Sequence, residues 1–150
     1  MKERMLVIDD DPAVLESCER IFSADGFEVE TVDDPSKGLS IAGENPYQVI
    51  LCDWKMPGVD GLDVVAALKE RAPDAAVVMF TGFPSVDRAT EAMKRGAMDY
   101  VGKPFTPEEI TGVVRRAVRR RARQDQEAVQ KLGRAIGEFP VPTLEDKAPN

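Results

Sequence analysis

The sequence contains no histidine, and this absence excludes several kinds of chemistry. The chain has no imidazole base, no histidine metal ligand, no Ser-His-Asp or Cys-His catalytic set, and no phosphohistidine of its own. Cysteine is nearly absent as well, with only Cys18 and Cys52 present. Both lie in apolar-periodic segments, which is typical of reduced packing residues and not of a disulfide framework or a zinc site.

Long apolar runs are also missing. Residues 1–4 lead into only four apolar residues, 5–8, before an acidic stretch, so we expect neither a signal peptide nor a membrane span. We therefore predict a cytoplasmic chain that does not contact a membrane. A length of 150 residues with 43% hydrophobic composition suits one globular unit with room for a tail. The net charge of -7 argues against direct nucleic-acid binding.

Short apolar runs alternate with helical patterns along the chain. Strands are predicted at 5–8, 27–32, 49–52, 76–80 and 98–101. Helices are predicted to follow each strand, beginning near residues 12, 35, 62, 86 and 107, with a loop at 56–61 and a helix stop at Gly96. Because the strands are apolar throughout, this alternation predicts an α/β fold with a parallel sheet covered on both faces.

Polar side chains stand where the predicted strands end. Asp9 and Asp10 follow the first strand, Asp53 the third, Thr81 the fourth and Lys103 the fifth. Ligands of open α/β sheets bind beyond the carboxyl ends of the strands. We therefore expect three carboxylates, a hydroxyl and an ammonium group to converge at one edge of the sheet.

Three converging carboxylates would repel one another unless a cation lay among them, and oxygen ligands without histidine or cysteine favour Mg²⁺. A phosphoryl group would complete the coordination of such an ion. Asp53 is then placed as a carboxylate nucleophile, with Lys103 and Thr81 contacting phosphoryl oxygens, and the product would be an aspartyl phosphate. The alternative is that the acids at 9–11 only cap a helix and that Lys103 pairs with one of them.

Four motifs, in order and at matching spacing, resemble the receiver domain of two-component response regulators. They are Asp9-Asp10 after the first strand, residues 53–61 (DWKMPGVDG), Thr81-Gly82, and residues 100–105 (YVGKPF). The resemblance covers residue 4 to about residue 122. It implies a flavodoxin-like, doubly wound, five-stranded parallel sheet with five helices, of which the last is extended.

The resemblance also implies roles for individual residues. Asp53 corresponds to the phosphoacceptor. Asp9, Asp10 and Asp53 correspond to the side-chain ligands of Mg²⁺, and the backbone carbonyl of Lys55 to a further ligand. Asp11 lies beside the matched pair, and we predict that it caps the following helix.

Thr81 and Lys103 correspond to the residues that contact the phosphoryl group, and Tyr100 acts with Thr81 as the switch. The peptide bond after Lys103 is implied to be cis. Lys55 and Phe83 correspond to the positions that flank the path of attacking water. Because neither side chain can orient water as an amide or carboxylate would, we expect slow loss of the phosphoryl group.

The function implied is a signalling switch and not an enzyme with a separate substrate. It would accept a phosphoryl group from a sensor histidine kinase or a histidine phosphotransfer protein, and signal by protein contact through the 86–105 face or by phosphorelay. One alternative is a receiver fragment of a larger regulator whose output domain is absent. Another is an aspartyl-phosphate hydrolase, which is disfavoured because such enzymes carry the nucleophile in a first-strand Asp-x-Asp pattern.

The last part of the sequence differs in charge from the rest. Residues 115–134 carry eight positive and two negative side chains, a local net of +6 that leaves -13 elsewhere. A helix over 107–136 would be about 45 Å long, longer than the domain needs, although Gly133 is expected to interrupt it. We predict a receiver domain at 1–122, a helical extension at 123–137 and a disordered tail at 138–150. The extension is either a solvated, frayed helix, a helix that pairs with a second copy in a homodimer or with another partner, or the start of a linker.

Overall fold

A computed structural model describes residues 2–137 of the chain. Its strands, in chain order, are β1 (Glu3–Ile8), β2 (Phe27–Val32), β3 (Val49–Asp53), β4 (Lys55–Met56), β5 (Val59–Asp60), β6 (Ala76–Thr81) and β7 (Asp99–Gly102). Five of them form one parallel sheet in the order β2-β1-β3-β6-β7. The five strands predicted from sequence are these five, and the predicted parallel sheet is confirmed.

The helices are α1 (Pro12–Ala24), α2 (Pro35–Glu44), α3 (Gly61–Arg71), α4 (Val86–Lys94) and α5 (Pro107–Ala135). Each begins after a residue whose side-chain oxygen accepts a hydrogen bond from a backbone N–H of the first turn, which satisfies a donor that has no partner within the helix. These N-caps are Asp11, Asp34, Asp60, Ser85 and Thr106. The predicted capping role of Asp11 is confirmed, since its Oδ1 accepts from the N–H of Ala13 at 2.9 Å.

The strand order explains why helices cover both faces of the sheet. The chain runs from β1 outward to β2, then returns across β1 to β3 and continues to β7. Right-handed crossovers in the two directions place helices on opposite faces. The flavodoxin-like, doubly wound fold expected from the sequence is confirmed, and its topological switch point lies between β1 and β3.

Alternate side chains of each strand enter two separate cores. On one face, here called the α1/α5 face, Met5 and Val7 pack with Phe22, Phe80 and Ile110. On the other, the α2–α4 face, the intervening strand residues Leu6, Ile8, Ile50 and Met79 pack against α2, α3 and α4, with Leu68 of α3 among their partners. Burial on both sides is why these strands are apolar throughout.

Two expectations about local structure were wrong. Residues 56–61 were predicted as a loop, but β4 and β5 pair there as a short antiparallel hairpin, with Lys55 opposite Asp60. Gly58 sits in its turn at φ +73°, a conformation that side chains other than glycine rarely adopt. The second error concerns Gly133, which lies inside α5 and does not interrupt it. A cost of about 1 kcal/mol for glycine in a helix interior does not stop a helix that is anchored over several turns.

Helix α5 has 29 residues and is about 43 Å long. A capping box formed by Thr106 and Glu109 starts it. Its buried residues Ile110, Val113, Val114 and Ala117 pack on the sheet, whereas nearly every residue from 122 to 137 is exposed. The tail predicted at 138–150 lies outside the described residues. None of the helices over 2–137 has the length and apolar character needed to cross a membrane.

Candidate functional site

The predicted carboxylate cluster forms at the switch point of the sheet. Asp9, Asp10 and Asp53 each offer a carboxylate oxygen, and these oxygens lie within 4.8 Å of one another. The register explains the meeting, because Ile8 of β1 is paired with Cys52 of β3 and the next residue of each strand is an aspartate. Asp9 is fully buried and Asp53 nearly so, whereas Asp10 is exposed and forms the open side of the cluster.

Lys103 bridges the two buried carboxylates. Its Nζ lies 2.8 Å from Oδ2 of Asp9 and 3.1 Å from Oδ1 of Asp53. The turn after β7 holds this lysine in place, because its backbone N–H donates to the carbonyl of Thr81 at 2.7 Å. The peptide bond to Pro104 is cis, as expected. The lysine therefore pairs with both acids and not with one alone.

The charges of this site do not balance. Burial, followed by the charge of Asp9, raises the pKa of Asp53, and Lys103 only partly opposes the shift. Burial also raises the pKa of Asp9, against the hydrogen bonds from Lys103 and from the N–H of Asp11. Burial alone would lower the pKa of Lys103, but its hydrogen bonds to the two carboxylates and their charges raise it. One ammonium group thus faces three carboxylates, an arrangement that an additional cation would stabilise.

The donor atoms of the cluster fit a hard divalent cation. All the side-chain ligands are carboxylate oxygens, and the exposed position of Asp10 leaves room for water or a phosphoryl oxygen at the ion. The backbone carbonyl of Lys55, the fourth expected ligand, belongs to the first residue of β4, two positions after Asp53. Its role as a ligand stays a prediction.

Thr81 ends β6, the strand beside Asp53, and is buried. Its Oγ1 accepts a hydrogen bond from the N–H of Phe83 at 3.1 Å, which leaves the hydroxyl hydrogen available to a phosphoryl oxygen. Phe83 itself is 67% exposed. The ammonium group of Lys55 lies 5.9 Å from the centre of its ring, within cation–π range. The two residues predicted to flank the path of water therefore contact each other.

Tyr100 belongs to an aromatic cluster that sequence analysis did not foresee. Its ring packs edge to face on Trp54, with centroids 6.0 Å apart. The guanidinium group of Arg88, from α4, lies 5.6 Å from the Trp54 ring centre. Within the described part of the chain the buried hydroxyl of Tyr100 has no hydrogen-bond partner. Arg88 was missed because helical periodicity marks it only as a solvent-facing residue of α4.

The two cysteines take no part in this chemistry. Burial raises the pKa of Cys18 to about 12 and also raises the pKa of Cys52. Both are buried thiols without a disulfide. A protonated, buried thiol is a poor nucleophile, so the prediction of packing roles agrees with their surroundings.

A doubly wound sheet with three acids at its switch point and a lysine bridging two of them has the architecture of a phosphoacceptor switch domain. The family model for the response regulator receiver domain matches residues 5–115. The chain therefore belongs to the response regulator receiver domain family, and the resemblance drawn from its motifs is confirmed. Members of this family are signalling switches of two-component systems.

Individual relatives agree with this assignment. The transcriptional regulatory protein PrrA of Mycobacterium tuberculosis is 41% identical over 118 residues, which are 79% of this chain and 51% of PrrA. The chain thus spans about half the length of this curated relative. A receiver domain protein from Clostridium thermocellum is 35% identical with a TM-score of 0.72, over 79% of this chain and 95% of that one.

The structure of a third similar protein contains bound groups. It is a response regulator from Burkholderia pseudomallei, described with a phosphorylated aspartic acid, a calcium ion and citrate. It is 25% identical, with a TM-score of 0.71, over 91% of this chain and 87% of that one.

Proposed function

We propose that Asp53 accepts a phosphoryl group from the phosphohistidine of a sensor histidine kinase or a histidine phosphotransfer protein. A carboxylate oxygen of Asp53 forms the new bond to phosphorus as the bond from phosphorus to the donor's imidazole nitrogen breaks. The observation that carries the proposal is the position of Asp53, a buried carboxylate 3.1 Å from the Lys103 ammonium group and clustered with Asp9 and Asp10. The phosphorylated aspartic acid of the Burkholderia pseudomallei relative supports it.

Asp9, Asp10, Asp53 and the backbone carbonyl of Lys55 would hold Mg²⁺. The bound ion would neutralise charge on the phosphoryl oxygens during transfer. Lys103 already lies at Asp53 and would bind a phosphoryl oxygen once the carboxylate charge is shared with phosphorus. Thr81 would donate its hydroxyl hydrogen to another oxygen.

Phosphorylation would then switch the surface formed by residues 86–105. As Thr81 moves toward the phosphoryl group, Tyr100 moves inward into the space released, and its contact with Trp54 changes. Trp54 in turn contacts Arg88 of α4, so the rearrangement reaches α4. A downstream protein would read this surface, or the phosphoryl group would pass along a relay.

The phosphoryl group would persist after transfer. Lys55 and Phe83 contact each other beside the site, and neither side chain orients water for attack on phosphorus. A variant with Phe83→Glu and Lys55→Asn would provide a carboxylate and an amide there, and we expect it to lose phosphate about tenfold faster. Phosphate release from the labelled parent and the double variant measures this, and equal rates would contradict the shielding.

The proposal also includes the domain boundaries and the location of the chain. The receiver domain would span residues 1–122, followed by the helical extension of 123–137, in the cytoplasm. An aspartyl-phosphate hydrolase is not favoured, since Asp53 lies at the end of the third strand and the family match covers 5–115. In a longer regulator this receiver would control an output domain.

Mass spectrometry of the intact chain tests phosphoryl transfer. After incubation with Mg²⁺ and a small phosphodonor such as acetyl phosphate, the parent should gain one phosphoryl group on Asp53. Asp53→Asn and the parent in excess chelator should gain none. Asp74→Asn is the matched control, because Asp74 is a highly exposed acid just before β6, at the opposite edge of the sheet. Equal labelling of Asp53→Asn and the parent would overturn the proposal.

Trp54 gives a second measurement that needs no phosphate transfer, because it is the only tryptophan and follows Asp53 directly. Titration with Mg²⁺ alone should change its emission and saturate. Asp10→Asn should weaken the apparent affinity at least about tenfold, whereas Asp74→Asn should not. An unchanged affinity in Asp10→Asn would remove this residue from the metal site.

A further inference from the structure

The end of α5 carries an apolar line that has no partner in the described part of the chain. Val129 is 50% exposed, Leu132 61% and Ile136 57%, the last being the residue that caps the helix. Their separations of three and four residues place them on one side of the helix. Three large apolar side chains on one side of a solvent-facing helix mark a contact surface.

The spacing of these three residues fits one helix of a coiled coil. In a heptad written a to g, Val129 and Ile136 occupy a positions and Leu132 the d position between them. β-Branched residues at a with leucine at d favour parallel, two-stranded coiled coils over other arrangements. Ala122 and Asp125 precede them in the same register, so the apolar seam proper begins at Val129.

The residues beside the seam favour a second copy of the same helix. The g and e positions next to it hold Ala128, Gly133 and Ala135, which are small and uncharged. From residue 127 to residue 136 the charged residues lie at the outer c and f positions; they are Glu127, Lys131 and Arg134. In two parallel copies the like charges nearest the seam are the Asp125 carboxylates at the preceding d position, and each is paired with Arg121 of its own helix at 2.9 Å. From Val129 to Ile136 no charged residue lies at an a, d, e or g position, and the small residues permit a close approach.

The position of the seam is fixed relative to the domain. Arg121 donates a hydrogen bond to the carbonyl of Pro73 and pairs with Asp125, 2.9 Å away on the next turn of α5. Pro73 precedes β6 and lies at the amino edge of the sheet, opposite Asp53. The phosphoacceptor sites of two copies joined here would remain open to their donors.

We propose that the chain forms a parallel homodimer through a short coiled coil of α5, with Val129, Leu132 and Ile136 as its seam. The pairing does not depend on a phosphoryl group at Asp53. The dimer can therefore be tested independently of the proposed function. Because each copy contributes only three large apolar residues, the dimer is expected to be weak and concentration-dependent.

Sedimentation of the 150-residue chain at increasing concentration tests the pairing. The parent should shift from monomer to dimer, and Leu132→Glu should raise the dissociation constant at least about tenfold by placing charge in the seam. Lys131→Glu is the matched control, since it adds the same side chain at the adjacent outer position and should still dimerise. A parent that stays monomeric at the highest soluble concentration, or equal weakening by both variants, would overturn the proposal.

Cysteine cross-linking tests the parallel register. The native cysteines are buried, so under mild oxidation Val129→Cys, Leu132→Cys and Ile136→Cys should each form a disulfide-linked dimer. Glu127→Cys, at an outer f position, is the control and should not. Linkage at Leu132→Cys alone would indicate an antiparallel pair and overturn the register. Linkage of Glu127→Cys as efficient as the others would show that the cross-links arise from random collision.

Discussion

Helices α4 and α5 flank β7 on opposite faces of the sheet and are held very differently. Helix α5 buries five residues, begins with a capping box and is tied to β7 by an ion pair of 2.6 Å between Arg120 and Asp99. Helix α4 has nine residues and buries only Ala92. It leaves Val86 82% and Met93 40% exposed.

The contrast shows where a receiver of this kind can change shape. The helix with few buried contacts has the low local stability from which switching elements are drawn. Next to α4, the Tyr100 hydroxyl is buried without a hydrogen-bond partner among the described residues. Its present position therefore has a higher free energy than one in which the hydroxyl is hydrogen-bonded. We therefore expect the α1/α5 face to stay fixed on activation and the α4 side to move.

Truncation of one apolar side chain on each helix gives the largest expected difference. Ile110 of α5 is completely buried, so Ile110→Ala should lower the free energy of unfolding by about 2–5 kcal/mol. Met93→Ala on α4 should lower it by less than about 1 kcal/mol, because Met93 is already 40% exposed. Urea unfolding of the two variants measures the difference. Similar losses would mean that α4 is held as firmly as α5.

Hydrogen exchange tests the same contrast in the activated state. Binding of Mg²⁺ and beryllofluoride, a phosphoryl mimic, should change amide protection over residues 86–102 about tenfold, which is about 1.4 kcal/mol. Residues 107–121 should change far less, because several buried side chains anchor them. Changes confined to the neighbourhood of Asp53 would contradict a movable α4 side.

Removing the charge of Asp53 tests how far the buried carboxylate charge, as distinct from the few buried contacts of α4, lowers the free energy of unfolding. A raised pKa means that the fold disfavours the ionised form, so without metal Asp53→Asn should raise the free energy of unfolding at pH 7. The gain should shrink as the pH falls through the raised pKa toward 3.8, because the parent carboxyl then becomes neutral too. Urea unfolding across this pH range measures it, with Asp74→Asn as the neutral control. A destabilised Asp53→Asn would show that Lys103 outweighs the repulsion.

The contact of Arg88 with Trp54 should contribute least. Arg88→Ala removes a half-buried cation–π contact between α4 and Trp54, worth about 0.5–1 kcal/mol. Arg116→Ala, an arginine on α5 for which no ion pair is seen within residues 2–137, is the control and should change stability by less. Thermal unfolding measures both. A loss above about 2 kcal/mol for Arg88→Ala would make α4 better anchored than its burial indicates.

Much of the fold could be predicted because its signals are local. Each strand is a short apolar run, and Asp11 and Gly96 mark helix boundaries through their own side chain or backbone. The gathering of Asp9, Asp53 and Lys103 followed from the rule that strand ends of a parallel sheet share one edge. These features need only the order of elements, not their detailed packing.

What could not be predicted depends on contacts between distant residues. Nothing near Arg88 in the sequence indicates Trp54, and nothing near Lys103 shows that it reaches two carboxylates at once. The strands of the β4–β5 hairpin have two residues each, too few for an alternation of apolar and polar residues to reveal them. Helix α5 continues through Gly133 because the helix is anchored over several earlier turns. The contact between Lys55 and Phe83 likewise arises only once β3 and β6 lie side by side.

The bond between Lys103 and Asp9 joins residues 94 positions apart, and this separation sets an order of events during protein synthesis. Asp9, Asp10 and Asp53 are synthesised early, whereas Lys103 is added only after the last strand, β7, has been made. Contacts of such long range form late because loop closure must come first. The proposed phosphoacceptor site would therefore be complete only after residue 103 has been made and β7 has joined the sheet, so phosphorylation at Asp53 would report on folded receiver domains.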